Sequence, residues 1–305
     1  MAAVGLVSDL RNVLRQLGQF PVVTMVPAIV ALTLTNYVIR FGRWHWLIGR
    51  LAPGQVTWDQ SLLTFFSGFS MVLTPGKVGE LLKSYLLRDF AGVPVTRSAP
   101  VVFAERLYDG IAMVLLSLAG LVSFRIGVGP VVAFALAALL SVIVLSRRSV
   151  SDLALVVAGN LPLIRARLQA IAGLLSSARE LTAHRVLLPS VALGVVSWFG
   201  ECLAFYLVLV GLGLQPSSWL LLSATFILAM ATLLGSLSML PGGVGAAELT
   251  ISGMLIVLVS ADRDTAGAAT ILIRLCTIWF GAILGAACLM LATLRLQAAK
   301  VAKVP

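Results

Sequence analysis

Charge is scarce in this sequence. Only 11% of its 305 residues are Asp, Glu, Lys or Arg, while 60% are hydrophobic. Soluble domains carry about a quarter charged residues, so a water-soluble globular fold is excluded. No polar stretch is long enough to fold alone, which leaves one membrane domain over residues 1–305. Cysteine and histidine are equally sparse. Cys202, Cys276 and Cys288 sit in apolar runs without metal-ligand spacing and read as small packing residues. His45 and His184 fall in basic loops and read as interface residues. No cluster has the spacing of a metal site, and no serine lies in a nucleophile-elbow context. Neither a catalytic residue nor a cofactor is expected. The N-terminus lacks the basic, apolar and small-residue series of a secretory signal, so no removed leader is expected.

What is abundant is apolar sequence in runs of about 20 residues, enough to cross ~30 Å of hydrocarbon at ~1.5 Å per residue. The runs are Phe20 to Ile39, Trp58 to Thr74, Ser98 to Phe124, Val128 to Ser146, Val186 to Leu212, Trp219 to Leu240 and Ala266 to Leu294. Shorter apolar arms follow Pro75-Gly76 and Pro241-Gly242. This predicts an all-α, polytopic integral membrane protein. Segment 147–185 breaks the pattern. There Arg165, Arg167, Arg179 and Arg185 alternate with Leu163, Leu168, Ile171, Leu174 and Leu175, the spacing of an amphipathic helix at the membrane interface. Met1 to Gln19 has similar periodicity and is either interfacial or a connector.

The net charge of +10 is spread between apolar runs and not along one polar face, so no nucleic-acid partner is expected. Arg40 to Val56, Lys77 to Arg97, Arg147 to Arg185 and the C-terminal tail together hold sixteen of the twenty-two basic residues. Placing them inside leaves four outside. The positive-inside rule then sets the chain in the cell membrane with its N-terminus out and its C-terminus in the cytoplasm.

Pro75-Gly76-Lys77-Val78-Gly79 recurs as Pro241-Gly242-Gly243-Val244-Gly245. A tryptophan opens the apolar arm before each, Trp58 and Trp219. Arg106-Leu107 and Arg274-Leu275 follow just over thirty residues beyond each Pro-Gly. The shared order predicts a duplication: repeat 1 over about 57–124, repeat 2 over about 217–294, and a connector over 125–216. Proline removes a backbone donor and glycine permits the turn, so each Pro-Gly is expected to fold its arms into a re-entrant hairpin. Three spans lie between the hairpins, and an odd number makes them enter from opposite sides. That is an inverted-topology repeat, whose sites lie mid-membrane at broken helices. Non-helical backbone at that depth must be buried in protein or line a wet cavity, so a central polar cavity is expected.

Charges in hydrocarbon cost roughly 2.5–3.5 kcal/mol each on insertion scales. Glu105, Arg106 and Asp109 nevertheless share one span, and Lys77, Glu80 and Lys83 share a face of the first hairpin at i, i+3 spacing. Glu201, Glu248 and Arg274 complete the set. These groups either form packing salt bridges or line a site. The glycines of the two turns, Gly76, Gly79, Gly242, Gly243 and Gly245, have the same two readings. They permit close helix crossing, or they leave backbone N–H groups free at a helix start, where anions bind. On the second reading Arg106, Arg274, Lys77 and Lys83 hold phosphate with the glycine turns. Glu80, Glu105, Asp109, Glu201 and Glu248 position those cations or bind an amino group.

At these residues the sequence resembles the lysylphosphatidylglycerol synthase transmembrane, flippase-like family, the membrane half of the multiple peptide resistance factor. The family's Pro-Gly-Arg-Val-Gly-Glu is similar to Pro75 to Glu80, with Lys77 for arginine, which keeps charge but loses a bidentate fork. Its Glu-Arg-Leu-x-Asp matches Glu105, Arg106, Leu107 and Asp109. Its Pro-Gly-Gly-Leu-Gly-x-x-Glu matches Pro241 to Glu248, and its Arg-x-x-Arg-Trp matches Arg40, Arg43 and Trp44. The family commonly has one further span before Phe20, and no soluble aminoacyltransferase domain follows Pro305. The resemblance therefore implies lipid flipping alone, with a separate lipid-modifying synthase as partner. Its substrates range over phospholipids, their aminoacylated forms and polyprenyl-phosphate-linked carriers. The alternative is an ion-coupled transporter of a small anionic solute. A membrane enzyme acting on lipid phosphate lacks the nucleophile and metal ligands.

Overall fold

The computed structural model describes residues 10–74, 79–149, 152–153, 155 and 168–301, and every regular element among them is helical. A short helix α1 (Leu10–Gln19) precedes α2 (Val22–Leu51). Helix α3 (Trp58–Ser67) runs into a 3-10 turn at Gly68–Met71, and α4 (Leu82–Ala91) follows. Then come α5 (Val95–Phe124), α6 (Val128–Ser146), α7 (Leu168–Thr182), α8 (His184–Gly211) and α9 (Ser218–Leu237). A 3-10 turn at Pro241–Gly243 leads into α10 (Ala246–Val259). The chain ends in α11 (Arg263–Arg274) and α12 (Phe280–Val301), joined by a π-helical stretch at Leu275–Trp279.

Among the described residues, seven helical stretches are long and apolar enough to cross a bilayer. Burial confirms the solvent for which they are built. Arg43, Lys83 and Glu105 are at most 2% exposed, whereas Val122, Val257 and Ile283 are 70% exposed or more. Charges inside and aliphatic side chains outside would be an aggregating surface in water and are a matched one in lipid. The chain is therefore a multi-pass membrane protein.

The predicted spans reappear, with instructive differences. The apolar run from Trp58 forms only a ten-residue helix and a 3-10 turn, too short to cross. The arm after Pro241 is longer, and Pro241–Val259 has the length and composition of a span. Pro75 to Val78 lie outside the described residues, so the first turn is seen only in its flanks.

Arg40 to Val56, expected as a cytoplasmic loop, is largely helix. Helix α2 continues to Leu51 with Arg40 and Arg43 buried and His45 half-buried. The reason is a partner on another helix: Asp109 of α5 takes both guanidinium groups. Lys83 is buried too. Three of the sixteen basic residues assigned inside thus belong to the protein interior, and the remaining thirteen still outnumber the four assigned outside. Segment 147–185 contributes α7, whose apolar face lies on protein. Tyr108 of α5 donates from its hydroxyl to the Leu181 carbonyl at 2.6 Å, and Ser177, Leu181 and Thr182 are buried. Arg165 and Arg167 lie outside the described residues.

Packing centres on α8, which lies along α2 and against α5 and α9. Phe205, Val208 and Leu209 of α8 join Ala224 and Ile227 of α9, Ile251 of α10 and Ala269 of α11 in one apolar core. A second core gathers Trp44 of α2, Phe65 of α3, Leu87 of α4 and Tyr108 of α5. Helix α12 closes on the 3-10 turn of Gly68–Met71 through Gly285. A Cβ there would meet the Ser70 nitrogen and lie 2.7 Å from the Phe69 carbonyl carbon, both backbone atoms that cannot swing aside. Gly285→Ala is expected to lower stability by about 1–3 kcal/mol, read as a lower Tm in detergent. Gly253→Ala, with nothing within 4 Å, should leave Tm unchanged or slightly raised.

Candidate functional site

Helical spacing assembles the site. On α2, Arg40 and Arg43 stand three residues apart on one face. On α5, Glu105 and Asp109 stand four apart with Arg106 between them. Asp109 is the hub: Arg43 Nη2 lies 2.6 Å from its Oδ1, and Arg40 Nη2 and Arg106 Nη2 each lie 3.2 Å from its Oδ2. Arg106 also reaches Glu80 at 3.6 Å. Glu80 in turn faces Lys83 at 3.5 Å, and Lys83 is paired with Glu105 at 2.6 Å.

In the second half, Arg274 Nε lies 2.7 Å from Glu248 Oε1, and Arg274 Nη2 donates to the Gly242 carbonyl at 2.9 Å. These networks pair charges of which an isolated one would cost several kcal/mol.

A cavity of about 260 Å³ joins the two halves. Its wall includes Tyr37 and Arg40 of α2, Phe69 and Val72 after α3, Glu80, Arg106 and Asp109, Trp198 and Glu201 of α8, and Gly242, Gly243 and Arg274. The two turn regions approach each other here. A Cβ on Gly242 would lie 2.8 Å from Leu73 Cδ2, two residues before Pro75.

Tyr37 is fixed by donating its hydroxyl to the Thr277 carbonyl at 2.9 Å, in the π-helical stretch. Arg40 lies between the rings of Phe69 and Trp198, at 5.7 and 5.4 Å from their centroids. Arg40 Nε, Arg106 Nε and Trp198 Nε1 have no hydrogen-bond acceptor among the described residues. Arg106 Nη2, although within ion-pair distance of two carboxylates, is aligned with neither. Arg274 Nε, close to Glu248, likewise has no aligned acceptor. The cavity wall thus carries three guanidinium groups whose hydrogen-bonding capacity is not fully used, the chemistry that takes up an anion.

Of the residues singled out from sequence, Arg106, Arg274, Glu80, Asp109, Glu201, Gly242 and Gly243 meet at this cavity. Glu248 stands behind Arg274. Lys83 and Glu105 do not line the wall. Lys83 is 2% exposed, its Nζ 4.7 Å from the Trp44 ring centroid, and its stem runs past Gly68. Its place is behind Glu80, not on a phosphate. Lys77 and Gly76 lie outside the described residues.

The expectation of free glycine N–H groups is also corrected. Gly243 donates to the Leu240 carbonyl at 2.9 Å, Gly245 to Glu248 Oε2 at 2.5 Å, and Gly79 to Thr74 Oγ1 at 2.9 Å.

Arg40, Tyr37 and Trp198 were missed as site residues. The usable signal was the i, i+3 spacing of Trp198 and Glu201, and of Arg40 and Arg43. Among the described residues no three His, Cys, Asp or Glu side chains converge as metal ligands. Cys202 and Cys276 are buried and Cys288 half-buried.

A UPF0104 membrane protein of Methanothermobacter thermautotrophicus is 36% identical over 95 residues, 31% of this chain and 27% of that relative. The chain thus matches about a quarter of the relative's length. No solved structure matches. The family described as the lysylphosphatidylglycerol synthase TM region matches residues 1–285, and the chain belongs to that family.

Proposed function

We propose that this protein carries the phosphate-bearing head group of a lipid between membrane leaflets, through the cavity that Arg40, Arg106 and Arg274 line, while the lipid's tails stay in the bilayer. The observation that carries this reading is the convergence of three arginines on one cavity inside a bundle of spanning helices. Pockets for whole drug-sized ligands run roughly 300–1,000 Å³. The cavity is about 260 Å³, which suits a head group and not an entire phospholipid. The protein acts as a carrier and not as an enzyme, on lipid that a separate synthase supplies.

The ion pairs favour an inverted repeat as the frame. Glu80 precedes Arg106 by the same twenty-six positions by which Glu248 precedes Arg274, and both pairs form. Each half then contributes one hairpin and one arginine to the shared cavity, which suits alternating access from two sides.

Native mass spectrometry of the detergent-extracted protein tests the substrate class. A phosphate-headed lipid is expected to stay bound to the parent and to be lost from Arg106→Gln. Retention of inorganic phosphate without lipid would favour a solute transporter instead.

Orientation is tested by labelling intact cells with a membrane-impermeant maleimide. Ser176 of α7 is exposed whereas Ser177 is buried, so Ser176→Cys is the informative position. With the N-terminus outside, Ser176→Cys should label only after permeabilisation. Strong labelling of intact cells would reverse the orientation.

A further inference from the structure

The two arginines of the matched ion pairs are wired differently. Both carboxylates beside Arg106 face other cations. Glu80 also meets Lys83 at 3.5 Å, and Asp109 also holds Arg40 at 3.2 Å and Arg43 at 2.6 Å. Arg106 can turn toward an anion without stranding either acid. Its side chain is also the more open, 26% exposed against 16% for Arg274.

Arg274 has no such freedom. Among the described residues it is the only cation paired with Glu248, and the same guanidinium donates to the Gly242 carbonyl. Glu248 accepts the Gly245 N–H at 2.5 Å. One arginine thus ties together both ends of a turn in which Gly242, Gly243 and Gly245 have φ of 62°, 66° and 92°. The turn also touches the bundle closely. A Cβ on Gly243 would lie 3.1 Å from Gly235 Cα, so a shift of the turn presses directly on α9.

We infer that Arg274 is a latch on this glycine turn which a phosphate group in the cavity draws off, while Arg106 is the arginine that binds the phosphate first. The inference rests on the head-group reading above and assigns its two arginines separate roles. A phosphate offers Arg274 a bidentate partner. Taking it removes the counter-charge from Glu248 and the donor from Gly242, which loosens the turn. A ligand shifts a conformational equilibrium only through such a difference between the two states. Arg274 is therefore a positioning residue as much as a binding one: through it, an occupied cavity alters its own wall.

Hydrogen–deuterium exchange of the purified protein reads the turn, because the amides of Gly243, Val244 and Gly245 are bonded in the latched state. The probes are dihexanoylphosphatidylglycerol and inorganic phosphate, with binding followed by fluorescence of Trp198, which lines the cavity. In the parent, exchange at these amides should be slow and rise roughly tenfold or more when a probe binds. Release by phosphate alone assigns the response to a free anion; release by the lipid alone assigns it to a head group, and both support the latch.

Arg106→Gln should keep the turn slow and unresponsive. Arg274→Gln should exchange fast without any probe while binding it within about tenfold of the parent. Arg274→Lys keeps Glu248 paired, so it guards against a variant that fails to fold. A single ammonium lacks the fork that spans Glu248 and Gly242 together, so its turn should still exchange faster than the parent's. An Arg274→Lys turn as protected and as responsive as the parent's overturns the latch. So does an Arg106→Gln protein whose turn still opens on addition of probe. If neither probe binds the parent, the head-group reading and ligand-driven release fail together, whereas fast exchange in Arg274→Gln without probe still establishes the latch itself.

Discussion

Arg106→Gln is expected to slow lipid exchange between leaflets by roughly 100-fold or more, about 2.7 kcal/mol of barrier, while the protein remains folded. Both parts of that result come from the same geometry. Arg106 lies at the cavity wall with its side chain 26% exposed, so its loss removes a cation from the transported anion. Its carboxylate neighbours keep other cations, Lys83 for Glu80 and the pair Arg40 and Arg43 for Asp109. The expected loss of stability is therefore that of ion pairs without aligned hydrogen bonds, on the order of 1 kcal/mol, not that of a stranded charge. Arg106→Lys should recover part of the rate, because it keeps the charge without the planar fork. Rates in reconstituted vesicles and Tm in detergent check the two parts separately. A variant that unfolds and a variant that transports normally would each contradict the assignment.

Asp109→Ala should have the largest effect on the fold itself. Three guanidinium groups lie within 3.2 Å of this one carboxylate, and two of them, on Arg40 and Arg43, are themselves buried. Removing one partner of a buried pair typically costs about 3–5 kcal/mol. Here three mutually repelling cations would lose the acid they share in a medium that screens poorly. Total stability of a domain is on the order of 5–15 kcal/mol, so Asp109→Ala is expected not to accumulate in the membrane. Asp109→Asn keeps the shape and an acceptor, and should accumulate with a clearly lowered Tm. The exposed pair of Asp59 with Arg295, at 3.0 Å, is the control. Water screens it, and Asp59→Ala should leave Tm unchanged. Expression level and thermal unfolding in detergent read the whole series.

The outline of this protein was legible because hydrocarbon imposes a length. Apolar runs of full length had to be spans, and the charges inside them had to find partners. Which partners they found was not legible. Arg40 and Arg43 end an apolar run of ordinary length, so they read as loop residues that begin the cytoplasmic side. Their burial depends on Asp109, sixty-six residues beyond Arg43 on another helix. Lys83 read as a phosphate ligand because it shares a helical face with Glu80. Its actual position depends on Gly68, where a Cβ would lie 2.8 Å from the lysine stem. The glycine turns read as a source of free amides, since a helix start leaves such donors exposed. The fold instead satisfies Gly245 with Glu248, a capping-box contact whose spacing was present in the sequence. The matched order of Arg106 and Arg274 was legible in the sequence. Their unequal wiring was not, because it depends on how many cations stand beside each acid.

Vesicles reconstituted with the purified protein and a nitrobenzoxadiazole-labelled phosphate-headed lipid provide the most direct measurement. Dithionite bleaches label in the outer leaflet only, so the bleached fraction reports exchange between leaflets. Transport through the arginine-lined cavity predicts bleaching well beyond the outer half with the parent protein, and bleaching that stops at about half, as in protein-free vesicles, with Arg106→Gln. Parent vesicles that also stop at half would contradict lipid translocation by this protein.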